Sequence, residues 1–180
     1  MQAKHCCALF LLVLCALLPA PATGQALPDG TAKEQLVGAW RLVSIETIRP
    51  NGEVIFPFYG KHPEGILMYD GSGWMSVQIV SDPPPTVPAG TSREEVTRAS
   101  VADKSKAFDN YYAYFGTWTM DHAQKTVTYH IRQSLEPGER GQDGVRHCVL
   151  DGDRLILTAK THEMDEDHER KLVWQRLTRE

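Results

Sequence analysis

Chemistry in this chain would have to come from strands that alternate polar and apolar residues. In Thr126–Ser134, "TVTYHIRQS", the residues Thr128, His130, Arg132 and Ser134 share one face of an extended strand, while Val127, Tyr129 and Ile131 share the other. Imidazole titrates near neutral pH, so His130 with Glu46 or Tyr114 is a candidate general acid–base pair. Arg132 and Arg146 are candidates to clamp a carboxylate or an enolate oxygen; ion pairing with Glu46 or Glu136 is the plainer use of them. The same phasing sets Trp74, Ser76 and Gln78 against Met75, Val77 and Ile79, and Arg146 and Cys148 against Val145, His147 and Val149. In Leu36–Thr47, "LVGAWRLVSIET", it groups Gly38, Trp40, Leu42, Ser44 and Glu46. Turned inward, the polar faces would line a pocket with Ser44, Glu46, Ser76, Gln78, His130, Arg132, Arg146 and one of Tyr112 and Tyr114. Turned outward, they are ordinary solvated positions, and period alone leaves both arrangements open.

Other patterns carry less. His162–Glu169, "HEMDEDHE", has imidazoles and carboxylates but no zinc or calcium spacing, so a solvated hairpin tip is expected and no metal. His62, in a loop at a barrel mouth, is a candidate to touch a ligand; a turn residue before Pro63 is the simpler account. Cys148 lies in an alternating strand with nothing in sequence to lower its pKa, which fits a buried, inert thiol. No nucleophile elbow, zincin, dinucleotide or P-loop motif occurs, so no cofactor is expected.

The elements that must position these residues are short and divided by turns. Pro50-Asn51-Gly52, Asp70-Gly71-Ser72 and Asp151-Gly152-Asp153 are turn signals between alternating segments. Residues 81–92, "SDPPPTVPAGTS", cannot continue a ladder and predict a loop or lid. Ser92 with Glu95 makes a capping box, and about sixteen residues of helix should follow from Arg93. The tract "KTHEMDEDHERK" reads as an acidic loop before a last strand, Leu172–Thr178. The sum is an all-β domain with one helix: a single antiparallel up-and-down barrel of roughly eight or nine strands.

The chain has 180 residues and a formal charge of −4 without long charged blocks, which leaves no nucleic-acid footprint. Residues 1–26 carry a weakly basic start, an apolar run and small residues near 24–26, the plan of a cleaved export signal. Residues 27–35 then form a linker and 36–180 the barrel domain. After cleavage only Cys148 remains and no internal disulfide is possible, so a monomer held by packing, exported and free of the membrane, is expected.

Gly38-x-Trp40 on the first strand with Arg176 on the last places an indole where a guanidinium can close over it. This pair resembles the signature of lipocalins and their calycin relatives. "LVGAWRLVS", "GILMYDGSGWMSVQ", "AFDNYYAYFGTW", "TVTYHIRQSL", "VRHCVLDGDRLIL" and "LVWQRL" together are similar to the small bacterial and fungal lipocalin-like domain family, here in a secreted member. The resemblance implies one barrel with an internal cavity. A helix between the middle strands replaces the C-terminal helix usual in secreted lipocalins, so their ligand classes do not carry over. The expected function is binding of a small hydrophobic or amphipathic molecule. A cofactor-independent isomerase, cyclase or hydratase, with His130, Arg132 and Tyr114 as catalytic groups, is one alternative; a structural or interaction module, its barrel filled by Trp40, Trp74 and Trp118, is another.

Overall fold

The computed structural model describes residues 29–56, 59–85, 92–163 and 165–178. Among these residues, three α-helices, α1 (Asp29–Leu36), α2 (Arg93–Arg98) and α3 (Val101–Asp109), accompany nine strands. These are β1 (Gly38–Ile48), β2 (Val54–Ile55), β3 (Glu64–Tyr69), β4 (Trp74–Val80), β5 (Tyr111–Asp121), β6 (Thr126–Ser134), β7 (Asp143–Asp151), β8 (Arg154–Glu163) and β9 (Glu166–Arg176). Strands pair in the order β2-β1-β3-β4-β5-β6-β7-β8-β9, and β1 also pairs with β9. Because β2 pairs with β1 alone, the other eight strands form a closed antiparallel barrel. Closure leaves no long exposed edge to recruit another chain.

The turn residues act as their chemistry requires. Gly52 takes φ +83 after Asn51, whose side chain accepts from the Glu53 amide at 2.9 Å. Asp70 accepts from the Ser72 amide at 2.8 Å, and its own amide closes the β3–β4 hairpin on the Trp74 carbonyl at 2.8 Å. The expected single helix is instead two. Ser92 and Glu95 complete the capping box of α2, but Ala99 is extended and Ser100 caps a new helix by accepting from the Asp103 amide at 3.0 Å.

Two further stretches differ from expectation. Most of the stretch read as a linker is helical, because α1 docks under the barrel with Leu36 fully buried. The tract read as an acidic loop is strand: β8 and β9 run on to Glu163 and Glu166, pairing Lys160 with Glu169, Thr161 with His168 and His162 with Asp167. Charged and polar cross-strand pairs take the place of apolar alternation there. The export signal assigned to residues 1–26 lies outside the described residues. No described helix is long and apolar enough to cross a membrane.

Inward residues stack in rows set by strand register. Leu150, Leu155, Trp174 and Leu42 form one row, and Cys148, Leu157, Leu172 and Ile45 the next. Ala159, Arg170 and Thr47 follow, and Thr161 beside His168 comes last. The wall is thus apolar toward the floor and polar toward the mouth. The floor holds Trp40, Trp118 and Trp174, each at most 1% exposed. The helix α1 seals it: the Trp40 indole N–H donates to the Leu36 carbonyl at 2.9 Å, and the Lys33 ammonium sits 4.9 Å from the Trp118 ring centre.

Candidate functional site in the barrel lumen

Two bulges decide which side chains reach the lumen. In β1 the register slips between Leu42 and Ser44. Val43 is the extra residue, so beyond it Ile45 and Thr47 turn inward, Ser44 is half-buried in the wall, and Glu46 turns outward to meet Lys171 at 3.3 Å. Between β5 and β6 the slip falls at Phe115 and Gly116, with Arg132 as the unpaired residue, exposed outside. In β4, Met75, Val77 and Ile79 are the buried face, so Ser76 and Gln78 stand on the outer wall. His130 is outside as well, because Val127, Tyr129 and Ile131 fill the lumen side of β6.

The expected set therefore separates. Tyr112, Tyr114 and Arg146 face the lumen, while Glu46, Ser76, Gln78, His130 and Arg132 do not. His130, Glu46 and Tyr114 are not brought together. His130 instead bridges two strands, Nδ1 to Asp143 at 2.8 Å and Nε2 to the Thr119 hydroxyl at 3.1 Å, on an open surface. Gln78 borders an outer groove of about 710 Å³ with Arg41, His62 and Glu64, where β1 parts from β3. Ser76 borders another of about 450 Å³ with Met68 and Trp74. Arg176 lies over Trp40 beneath the floor, with Gly38 beside it: a Cβ at Gly38, whose φ is +135, would stand 3.2 Å from the Arg176 guanidinium.

Inside, aromatic rings form a continuous ladder. Ring centres step from Tyr59 to Tyr112 in 6.1 Å, to Tyr114 in 5.2 Å, to Tyr129 in 6.1 Å, to Tyr69 in 5.9 Å and to Trp118 in 4.4 Å. Sequence alternation supplied Tyr112 and Tyr114. It missed Tyr69 and Tyr129, which sit on faces that read as plain apolar core, and Tyr59, which follows a strand end. The hydroxyls of Tyr69 and Tyr129 bond to one another, and that of Tyr112 donates to Glu139, which also accepts from the Ser134 hydroxyl at 2.6 Å. Burial pushes Tyr59, Tyr69, Tyr112, Tyr114 and Tyr129 above the usual phenol range, so at neutral pH each is an uncharged hydroxyl.

Arg146 stands in the middle of this ladder. Its guanidinium carbon is 4.1 Å from the Tyr129 ring centre, Nη1 donates to the Gly144 carbonyl at 2.9 Å, and Nη2 donates to the Tyr114 hydroxyl at 3.3 Å. No carboxylate among the described residues lies within ion-pairing distance of it. Nearer the mouth, the hydroxyls of Thr47 and Thr161 and Nδ1 of His168 are buried with no hydrogen-bond partner among the described residues. Only the other His168 nitrogen is engaged, to Glu166 at 3.0 Å. The strand pattern could have flagged Thr161 and His168 had their tract been recognised as strand.

Burial pushes the Cys148 thiol up to about 11, so it stays protonated and inert. Among the described residues, no three His, Cys, Asp or Glu side chains converge as a metal site would need. Hydroxyls, the guanidiniums of Arg146 and Arg170 and one imidazole on an aromatic and aliphatic surface can hold and orient a small molecule by hydrogen bonds.

Comparison with curated proteins finds no match. The family model described as lipocalin-like domain matches residues 37–177, which is the barrel from just before its first strand to just after its last. With the closed antiparallel barrel and the Trp40–Arg176 closure beneath its floor, that match shows that the chain belongs to the lipocalin-like domain family.

Proposed function

We infer that the barrel lumen binds a small molecule with an apolar body and one polar end, and that the protein does this as an exported monomer. One observation carries the reading. The inward polar atoms of Thr47, Thr161 and His168, and deeper in the wall the indole nitrogen of Trp174, are buried without partners among the described residues, on a wall whose lower rows are otherwise apolar. A lumen packed only for rigidity gains nothing from orphaned polar groups, each of which costs about 1–3 kcal/mol when left unmet. A ligand with its apolar part on the lower rows and its polar end among the upper ones offsets that cost. Export is supported by the apolar stretch near the start of the sequence, which is followed by small residues.

The test is a fluorescence titration with N-phenyl-1-naphthylamine, a neutral apolar probe. The wild-type chain should enhance and blue-shift its emission in a saturable way. Ala159→Phe, which fills the row between Leu157 and Thr161, should abolish the signal, and Gln78→Phe on the outer wall should not. No saturable signal in wild type, or loss in Gln78→Phe with retention in Ala159→Phe, would overturn the reading.

A further inference from the structure

The lumen-facing guanidinium of Arg146 raises a question of charge that the fold leaves unanswered. A cation held inside a barrel is costly unless a counter-charge meets it. Glu139, the carboxylate attached to the tyrosine ladder, is committed to Tyr112 and Ser134 instead. The tyrosines around Arg146 are uncharged at neutral pH and supply dipoles and a ring face, which orient the guanidinium but do not neutralise it. Its two hydrogen bonds, to Gly144 and Tyr114, leave further N–H groups of the fork available.

The surrounding hydroxyls are also sorted. Tyr112 gives its proton to Glu139, and Tyr129 shares one with Tyr69. Tyr114 accepts from Arg146 and so keeps its own proton to donate. A guanidinium fork beside one free phenol O–H is a donor set for a carboxylate, which accepts from both at once.

We propose that the ligand is a monocarboxylic acid, its carboxylate bound by Arg146 and Tyr114 and its apolar body stacked along the tyrosine ladder. This rests on the lumen-binding reading above and adds the charge and class of the ligand. A carboxylate matches this donor set because its two oxygens can accept from the guanidinium and the phenol together.

The experiment is calorimetric titration of the full chain at neutral pH with 2-naphthoate and with 2-naphthylmethanol, which share a ring system and differ in charge. Wild type should bind the acid about tenfold or more tightly than the alcohol. In Arg146→Gln that preference should fall to within about twofold, with the alcohol's affinity unchanged; Arg146→Lys should retain part of it. Tyr114→Phe should weaken the acid alone by about threefold to tenfold. Equal binding of acid and alcohol by wild type, or a preference that survives Arg146→Gln, overturns the proposal and leaves the lumen reading standing. Binding of neither compound removes the lumen reading itself. Should Arg146→Gln fail to fold, the wild-type preference and its response to Tyr114→Phe decide the matter.

Discussion

The guanidinium of Arg176 lies 4.1 Å from the centre of the Trp40 indole, and the two residues face each other across the seam where β1 meets β9. Arg176 also donates to the Val37 carbonyl at 3.1 Å and to that of Gln35, so one side chain ties the last strand to the first and to the end of α1. Arg176→Ala should therefore cost about 1–3 kcal/mol, seen as a lower urea midpoint at unchanged slope. Arg176→Lys should recover only part, since an ammonium stacks less well and cannot fork. An unchanged midpoint in Arg176→Ala would contradict this role.

At Gly116, β5 passes close against β6. A Cβ there would stand 2.0 Å from the His130 carbonyl oxygen and 2.9 Å from its carbon, both backbone atoms of the next strand. Gly116→Ala should cost about 3 kcal/mol or more, roughly 6–12 °C in thermal midpoint for a chain of this size. Gly71→Ala, with nothing within 4 Å of the added carbon, is the control and should shift the midpoint little.

Burial raises the folded pKa of five tyrosines above the value near 10 expected in the unfolded chain. For an acid with a raised folded pKa, the neutral form belongs to the native state. Its stabilising contribution is complete below about pH 10 and is lost as pH climbs from there toward the folded value. Absorbance at 295 nm should show the buried tyrosines ionising together with unfolding, by circular dichroism, above about pH 10. Buried tyrosines that titrate independently at about pH 10 without loss of fold would refute the packed ladder.

His130 sits on the outer wall with Asp143 and Thr119, and its side chain is 36% exposed. His130→Ala should change stability by at most about 1 kcal/mol. It should also leave binding of N-phenyl-1-naphthylamine within about twofold of wild type. A loss of probe binding would place the imidazole on the wrong side of the wall.

Much of the architecture is legible in the sequence because turns and alternation are local signals. Asn51-Gly52, Asp70-Gly71 and Asp151-Gly152 mark three hairpin or loop reversals correctly, and β6 spans the residues its period predicts. Face assignment fails where local signals stop applying. One inserted residue, Val43, reverses the phase of β1, and so carries Glu46 outside and Thr47 inside. The end of the β8–β9 hairpin is hidden because its pairs are held by charge and hydrogen bonding rather than apolar burial. The helix α1 is hidden for a related reason: its eight residues have little apolar pattern, and docking onto the floor tryptophans organises it. Tyr69 and Tyr129 could be placed in the core from sequence, but their meeting with Arg146 depends on the five strands β3 to β7 curling around them.

The most direct test of the lumen account is amide and side-chain NMR of the isotopically labelled protein, titrated with 2-naphthoate. Shifts should cluster on Tyr112, Tyr114, Tyr129, Arg146 and Thr47, while His62 and Gln78 in the outer groove stay still. Perturbations confined to His62, Gln78 and their neighbours, or no saturable perturbation at all, would contradict a ligand held inside the barrel.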